Sequence, residues 1–557
     1  MSKPKTKSVP APPPNAGHSW TTLVGAAIHA RVAVRRKKLA DRNWWKENTW
    51  RAQVDQLRGL IVSAKGTRFG RAHDFVTLAK ITDPAELVRA YQSSVPVADW
   101  YAFADDIAAM RDEGQSDILW AGRVDRFAQT SGTTAGDKYI PVSDEMMKAN
   151  YRASLDIFAH LLNRGVPPER YMGGRCLFLG GSTELDINEH GIATGDLSGL
   201  VTPLIRWPIS AIYSPGPQIA LMDHWPDKIE AMAQLAVDQD IRFISGMPSW
   251  ALVLIDRVIE IANERGADAK CARDVWPNLE VFVHGGVNFA PFITRMSRAF
   301  SGDPNIDFPC RHELYPASEG FIAMQDETDD GSMRLLSDNG TFFEFVPLEQ
   351  IDDDNPEVFT CWQVEKGRKY VLVMSTNAGL WRYIIGDVVV FDEIPAGPNG
   401  GGDGPARLRI VGRHRHFINA FGENIIVEHI EHAVQAAIES TGITTGEFTA
   451  APVYPSQTSR AGLELVVEVE SKMSTGDFAK FQSTFDESIK HENVDYTTKR
   501  SDDVGMQPPT ITQVPIGTFH RWLENKGKLG GQHKCPRCAN HRDILAEVLQ
   551  ATQTAGA

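Results

Sequence analysis

The chain has 557 residues, of which 42 % are hydrophobic and 23 % are charged, and its formal net charge is −14. This length exceeds what one hydrophobic core supports, so we expect two or more domains. The acidic balance argues against general nucleic-acid binding, which needs a basic surface. The sequence holds no run of 18 apolar residues, which argues against a membrane span.

The N-terminal segment, residues 1–20, is rich in lysine and proline and lacks the apolar core of a secretory signal, so we expect a disordered tail. Six cysteines in a chain of this length do not form a disulfide framework. These two features predict a protein of the reducing cytoplasm, and a monomer is expected. The basic run at residues 35–38 is interpreted as a solvated helix face.

Residues 21–92 are predicted to be helical, because apolar residues are spaced between charges. A short strand over residues 124–130 follows. A helix then begins at the hydroxyl cap Ser143 and ends at Gly165. The 3.6-residue period predicts that its apolar face comprises Met147, Tyr151, Leu155, Phe158 and Leu162.

Short apolar strands alternate with helices along the rest of the chain, which predicts an α/β architecture with sheets flanked by helices. The predicted strands cover residues 175–179, 241–244, 279–283, 341–346 and 370–374. The composition of residues 395–405 predicts a loop. Beyond it, residues 412–557 have the size of a small α+β domain, which leaves residues 21–411 as the large domain.

The stretch TSGTTAGDK, residues 130–138, combines glycines, hydroxyl residues and a lysine directly after a predicted strand. Backbone N–H groups of such a loop can converge on phosphate oxygens, and hydroxyl groups add donors. It is not a Walker loop, because Gly132 and Gly136 enclose three residues and Asp137 intervenes before Lys138. By itself the stretch is consistent with a phosphate cradle or with an ordinary turn.

Three further segments carry groups that suit a nucleotide. Tyr315 stands four residues before Glu319, so one short segment offers a ring that stacks on a purine and a carboxylate that binds Mg²⁺. Asp387 can accept both hydrogens of a ribose diol, and Arg413 can reach the ribose or a phosphate. Each segment also has a simpler interpretation: a strand-end acid, a turn aspartate or a surface ion pair.

The C-terminal region contains a CxxC formed by Cys535 and Cys538, with His533 and His541 nearby. A zinc site needs two further ligands and the chain has no second CxxC, so metal binding stays open as a minor alternative. A redox role is not favoured either, because no thioredoxin-like βαβ pattern surrounds the pair.

The order of these segments resembles the adenylate-forming superfamily of acyl-CoA synthetases, peptide-synthetase adenylation domains and luciferases. The residues of these segments are similar to those of one branch, the auxin-inducible Gretchen Hagen family of acyl–acid amido synthetases, in a bacterial-type version. The strings that carry the resemblance are TSGTT, FFEFVP (342–347), STNAGLWRYIIGDVV (375–389) and GKLGGQHKCPR (527–537). The third string is the most specific, and the resemblance spans residues 20–545.

The resemblance implies an ATP-dependent ligase that joins a small carboxylic acid to the amine of an amino acid. The carboxylate attacks the α-phosphorus of ATP and pyrophosphate leaves; an amine then attacks the acyl-adenylate and AMP leaves. It also implies a mobile C-terminal domain, with the hinge at residues 414–416. The alternatives are a ligase with a thiol acceptor, such as coenzyme A or a carrier protein, and a nucleotide-binding regulator that has lost catalysis.

The resemblance further implies which residues hold ATP: Ser131, Gly132, Thr133, Thr134, Gly285, Gly286, Tyr315, Ala317, Ser318, Asp387 and Arg413. The first four hold the phosphates, and the next four line the adenine. Ser318 lies beside the α-phosphate and is taken as catalytic, and Glu319 holds Mg²⁺. Asp387 takes the ribose hydroxyls, with Arg413 assisting.

A lysine of the small domain is implied to reach the phosphates during adenylation. Lys534 is the first choice because it lies in the family string, and Lys526 and Lys528 are rivals. The simpler interpretation of these lysines is a solvated basic face.

Overall fold

The computed structural model describes residues 21–130, 138–180, 185–202, 205, 209–222, 224–286, 289, 292–328, 331–353, 355–414, 417–419, 421–423, 425–443, 445–455, 460–503, 505–526 and 535–553. Several predicted features lie outside these residues: the tail 1–20, Ser131, Gly132, Thr133, Thr134, Arg415, His416, Lys528, His533 and Lys534.

The chain begins with a helical layer, as its sequence predicts. Its helices are α1 (Thr21–Ala40), α2 (Arg42–Ala64), α3 (Arg68–Ala72), α4 (Phe75–Leu78), α5 (Pro84–Ser94) and α6 (Ala104–Arg111). Local signals fix their starts: the Asp41 side chain accepts a hydrogen bond from Trp44 N, and Asp83 caps α5 ahead of Pro84. The layer packs its apolar side chains against the central sheet.

Strands and helices alternate through the large domain. In chain order they are β1 (Arg126–Thr130), β2 (Lys138–Pro141), α7 (Asp144–Asn163), α8 (Pro168–Tyr171), β3 (Arg175–Phe178), β4 (Asp186–Ile187), β5 (Ala193–Gly195), α9 (Leu197–Val201), β6 (Tyr213–Ser214), α10 (Pro217–Ala220), α11 (Trp225–Ala236), β7 (Ile241–Ser245), α12 (Pro248–Glu264), α13 (Ala272–Val275), β8 (Val281–Gly285), α14 (Ile293–Ser301), β9 (Cys310–Ala317), β10 (Gly320–Met324), β11 (Met333–Leu335), β12 (Thr341–Pro347), β13 (Phe359–Thr360), β14 (Lys369–Thr376), β15 (Tyr383–Glu393) and β16 (Arg407–Arg413).

Most of these strands form one sheet in the order β13-β12-β14-β15-β16-β11-β10-β9-β8-β7-β3-β6. The strands from β9 to β6 in this order pair in parallel, and the others pair antiparallel. A second sheet has the order β2-β1-β5-β4 and pairs β1 with β5 in parallel. The carboxyl ends of parallel strands share one edge, which is where ligands bind in sheets of this kind.

The C-terminal part is a smaller α+β unit. It contains β17 (Phe417–Ile418), β18 (Ile425–Ile426), α15 (Val427–Thr441), β19 (Thr445–Val453), β20 (Gly462–Val469), α16 (Thr475–Glu492), α17 (Val494–Arg500), β21 (Thr510–Pro515), α18 (Thr518–Asn525) and α19 (Asp543–Gln553). The predicted α/β class with a small second unit is confirmed. The predicted boundary between residues 411 and 412 stays a prediction, and β16 runs across that position.

The start of α7 is as predicted, and one residue of its predicted apolar face is wrong. Ser143 caps the helix by accepting a hydrogen bond from Met146 N at 3.0 Å. Leu162 is buried, and Met147, Leu155 and Phe158 are partly buried against the core, but Tyr151 is exposed. The buried side chains also include the polar residues Asn150, Asp156 and His160. A period read from apolar residues alone misses this face, because polar partners on other elements allow polar groups to be buried.

One such partner is Arg35 of α1, which corrects the prediction of a solvated basic face. Its guanidinium binds Asp156 of α7 through Nη2 at 2.6 Å and Asp338 through Nη1 at 2.6 Å. Lys38 adds a contact to Asp338 at 3.2 Å. The basic run therefore ties α1 to α7 and to the segment after β11.

Two further observations concern the cysteines and the helices. All six cysteines are buried, and none of them forms a disulfide. None of the described helices is long and apolar enough to cross a membrane.

Candidate nucleotide site

The turn between β9 and β10 places two predicted site residues at the carboxyl edge of the parallel strands. Ala317 pairs with Gly320, so Ser318 and Glu319 are the two residues of a hairpin loop. Gly320 has a φ of +142°, a conformation that a residue with a Cβ rarely adopts. The tight turn therefore depends on this glycine, and it fixes the direction of Glu319.

Glu319 is 9 % exposed, and burial raises the pKa of its carboxyl group. The hydroxyl group of Tyr383 donates a hydrogen bond to it. Arg413 and Lys138 lie within electrostatic range of the same carboxylate. Glu319 is thus a carboxylate held in a largely dry position beside two cations.

Asp387 lies beside this turn with both carboxylate oxygens engaged. Asp387 and Arg413 are directly opposed on β15 and β16, and Arg413 Nε donates to Oδ1 at 2.6 Å. The Tyr315 hydroxyl group donates to Oδ2 at 2.5 Å. Because an ionised carboxylate has about four acceptor directions, it can still accept two hydroxyl groups.

Tyr315 is 3 % exposed, and its ring belongs to the main apolar core. Its contact with Asp387 shows that this residue orients the carboxylate. The predicted role of Tyr315 and Ala317 against an adenine stays a prediction.

The string at residues 375–389 explains how Asp387 is positioned. The Trp381 indole is fully buried and donates to the carbonyl group of Leu119 at 3.1 Å. Arg382 donates to Glu344 at 3.0 Å, and both side chains are at most 4 % exposed. The most specific string of the sequence is therefore mainly a buried frame, and Asp387 is the residue at its end that faces the site.

The two glycines after β8 also have structural reasons. A Cβ on Gly285 would stand 2.4 Å from the carbonyl oxygen of Leu314, so the residue permits the close approach of β8 and β9. Gly286 has a φ of +84°. Both lie at the same sheet edge as Glu319, which is where their predicted role requires them to be.

Two site residues received no role from the sequence. Lys138 ends the glycine-rich stretch, and its side chain reaches Tyr101 and the surroundings of Glu319. Burial lowers the pKa of its ammonium group. Tyr383 holds Glu319, and no strand period predicts this contact, because the pairing of β14 with β15 shifts register between Ile384 and Val388.

The C-terminal lysines and cysteines are only partly described. Lys526 binds Glu547 at 2.6 Å within the small unit. Lys528 and Lys534 lie outside the described residues. Cys535 and Cys538 are buried, and burial raises the pKa of Cys535 to about 12, which makes an unreactive thiol. The described part of the chain holds no group of three or more His, Cys, Asp or Glu side chains that suits a metal ion.

Sequence comparisons match one family along most of the chain. The GH3 family N-terminal domain matches residues 44–204 and 188–305, the GH3 family central domain matches residues 334–397, and the GH3 family C-terminal domain matches residues 428–543.

Individual relatives are distant. The indole-3-acetic acid-amido synthetase GH3.3 of Arabidopsis thaliana is 24 % identical over 318 residues, which are 54 % of this chain and 50 % of the relative. The chain thus spans about half the length of the first curated relatives it matches. The jasmonoyl–L-amino acid synthetase JAR4 of Nicotiana attenuata is 22 % identical over 526 residues, 83 % of this chain and 87 % of the relative.

Among solved structures, the GH3.15 acyl acid amido synthetase superposes with a TM-score of 0.54 at 16 % identity, covering 91 % of this chain and 94 % of that chain. At this identity the likeness concerns the fold alone.

Proposed function

This chain belongs to the GH3 family, as its motifs predicted, and from this premise we propose that it is an ATP-dependent ligase. It converts a small carboxylic acid to an acyl-adenylate and transfers the acyl group to the amine of an amino acid. The proposal is supported by the names of two relatives, an indole-3-acetic acid-amido synthetase and a jasmonoyl–L-amino acid synthetase.

The observation that carries the proposal is the joining of Glu319, Asp387 and Arg413 at the edge where the parallel strands end. Glu319 comes from the turn between β9 and β10, and Asp387 and Arg413 come from β15 and β16. The three residues lie up to 94 positions apart by number, yet they form one charged cluster with Lys138. In this cluster, Asp387 complements a ribose diol and Glu319 complements a cation. The positive charges of Arg413 and Lys138 complement a phosphate chain.

The first half of the reaction brings two anions together. A carboxylate must approach the α-phosphorus of ATP, so the site has to position both groups and neutralise their charge. Asp387 accepts the ribose hydroxyl groups, and Tyr315 and Arg413 keep its oxygens in place. Lys138 and Arg413 supply positive charge, and Ser318 offers a hydroxyl donor from the hairpin loop.

Mg²⁺ fits this site through Glu319, because a carboxylate oxygen is the ligand type that this cation prefers. The described residues offer no full protein cage, so phosphate oxygens and water would complete its coordination. When bound, the ion would neutralise charge on the phosphates. The residues Ser131, Gly132, Thr133 and Thr134 and the lysine Lys534 keep the phosphate roles proposed from the sequence.

In the second half of the reaction, pyrophosphate has left and an amine attacks the acyl-adenylate. AMP is a better leaving group than the oxide of a free carboxylate, so the acyl-adenylate reacts with an uncharged amine without a covalent enzyme intermediate. The proposed compartment is the reducing cytoplasm, which is consistent with six cysteines that form no disulfide, and the proposed oligomeric state is a monomer.

The test begins with ATP–pyrophosphate exchange across a panel of carboxylic acids. Acid-dependent exchange would establish the first half. Mass spectrometry of the products with amino acids then identifies the amide, and exchange without any amide would refute the second half.

A further inference from the structure

The segment at residues 95–103 connects α5 to α6 and lies along the edge of β15. Ala98 N donates to the carbonyl oxygen of Arg382 at 3.1 Å, and Ile384 N donates to the carbonyl oxygen of Ala98 at 2.8 Å. The pairing of β16 with β15 begins at Asp387, so the segment pairs with β15 just before β16 does. The 95–103 segment is thus part of the sheet beside the proposed ribose site.

Arg382 anchors the beginning of this segment. Its guanidinium is 4 % exposed and donates to the carbonyl oxygens of Gln92 at 2.9 Å and Val95 at 2.7 Å, and to the carboxylate of Glu344 at 3.0 Å. Its backbone has a φ of +46°, which is unfavourable for a residue with a Cβ. Such a conformation persists only where the surroundings hold it, and the contacts of the guanidinium do so here.

The far end of the segment contacts β2 through Trp100. The indole Nε1 donates to the carbonyl oxygen of Tyr139 at 3.1 Å. Tyr139 follows Lys138 on β2 and pairs with Gln129 on β1. The guanidinium of Arg111 lies 3.5 Å from the centroid of the Tyr139 ring. Tyr139 is therefore held at its backbone by the indole and at its ring by the last residue of α6.

The segment also contacts the Lys138 side chain itself. Lys138 Nζ lies 5.9 Å from the ring centroid of Tyr101. Because Tyr101 is three residues from Ala98, which pairs with β15, the ammonium group lies close to the beginning of that strand. Burial lowers the pKa of Lys138, and the charges of Glu319 and Arg413 also act on it, which agrees with this position.

We propose that Trp100 is a positioning residue that places the ammonium group of Lys138 against the β- and γ-phosphates of ATP. The inference rests on the proposed function and deepens it by assigning Lys138 to the part of the nucleotide that leaves as pyrophosphate. β15 carries Asp387, the proposed ribose-binding residue, and the 95–103 segment sets the distance from this strand to Lys138. The spacing between the ribose and the outer phosphates is therefore built into the fold.

The experiment compares the binding of ATP and of AMP by the full chain, each measured by calorimetric titration with Mg²⁺ present. The variants are Trp100→Phe, which removes the indole N–H donor and keeps an aromatic ring, Lys138→Met and the double variant. Trp45→Phe is the matched control, because Trp45 Nε1 also donates to a backbone carbonyl group, that of Lys38 at 2.8 Å, in the helical layer. Thermal unfolding is measured on the same preparations.

Trp100→Phe is expected to raise the Kd for ATP by about fivefold, and Lys138→Met by about tenfold or more, because the contact between the ammonium group and the phosphates is weakened or lost. The Kd for AMP should stay within about twofold of the parent value in both variants, because AMP lacks the β- and γ-phosphates. The double variant should bind ATP no more weakly than Lys138→Met, because the indole acts through the lysine. Trp45→Phe should lower the thermal midpoint and leave the Kd for each nucleotide unchanged.

Equal losses of ATP and AMP affinity in Lys138→Met would overturn the inference, because the lysine would then act on the part of the nucleotide that AMP shares. Unchanged ATP affinity in Trp100→Phe, or additive losses in the double variant, would also overturn it, since the indole would then have a structural role alone. A parent enzyme that binds no ATP is a separate outcome, which refutes the proposed function itself.

Discussion

Arg413 Nε donates to Asp387 Oδ1 at 2.6 Å across the pair β15 and β16, and the two residues are direct partners in the sheet. The loop at residues 395–405 lies between these two strands in the chain, but it does not prevent Asp387 and Arg413 from pairing. Arg413 is the last residue of the strand that enters the C-terminal unit. The proposed ribose-binding residues therefore lie next to the segment that connects the large domain to the C-terminal unit.

Replacing Asp387 by Ala should raise the Kd for ATP by roughly 10- to 150-fold, because two charge-assisted hydrogen bonds to the ribose are lost and Arg413 loses its partner. Calorimetric titration measures this directly. Asp392→Ala is the matched control, since Asp392 binds Arg409 at 2.7 Å between the same two strands away from the site. Equal affinities of the two variants for ATP would show that Asp387 does not bind the ribose.

Lys534→Ala should slow acid-dependent pyrophosphate exchange by roughly 100-fold while leaving the thermal midpoint unchanged, because the lysine is proposed to act on charge that develops in the transition state. Lys526→Ala should have little effect, since Lys526 is bound to Glu547 at 2.6 Å in its own unit. Exchange that is lost in the Lys526 variant and retained in the Lys534 variant would reverse the assignment.

Glu319→Gln should raise the Mg²⁺ concentration that half-saturates pyrophosphate exchange by about tenfold, because an amide oxygen is a weaker ligand than a carboxylate. A Mg²⁺ titration at saturating ATP measures it. Since Gln keeps the size of the side chain and can still accept from Tyr383, the fold should be retained. A wild-type Mg²⁺ response would place the ion elsewhere.

Asp338 gives a prediction of pH-dependent stability. Burial opposes its ionisation, but Arg35 and Lys38 outweigh that effect and lower the pKa of Asp338 from 3.8 to about 2. A depressed folded-state pKa stabilises the fold above the unfolded-state pKa, and that stability is lost as the pH falls towards 2. Asp338→Asn should therefore cost about 2 kcal/mol at pH 7 and roughly half as much near pH 3.

Urea unfolding followed by tryptophan fluorescence at several pH values measures this difference, and Trp45 lies 5.8 Å from the Arg35 guanidinium. A penalty that does not change with pH would mean that the carboxylate charge at residue 338 does not stabilise the fold.

Sequence patterns predicted the elements around the site well, because strands such as β8 and β14 contain continuous apolar runs and α7 has a clear hydroxyl cap. The order of motifs also predicted which segments meet. It did not predict that Tyr315 and Arg413 would share the carboxylate of Asp387, since this depends on the pairing of strands far apart in the chain.

Failures of prediction came from buried polar groups. The prediction for α7 missed that Asp156 is buried against Arg35, because neither residue signals the other in the sequence. The string around Trp381 and Arg382 was interpreted only as a family motif, and the sequence did not show that most of it forms a buried frame with Glu344.

The most direct test of the central claim is a competition in one reaction mixture that contains ATP, Mg²⁺, a carboxylic acid that supports pyrophosphate exchange, the common amino acids and coenzyme A. Mass spectrometry identifies the acylated product. The account predicts an acyl–amino acid amide together with AMP. An acyl thioester of coenzyme A with no amide would contradict it.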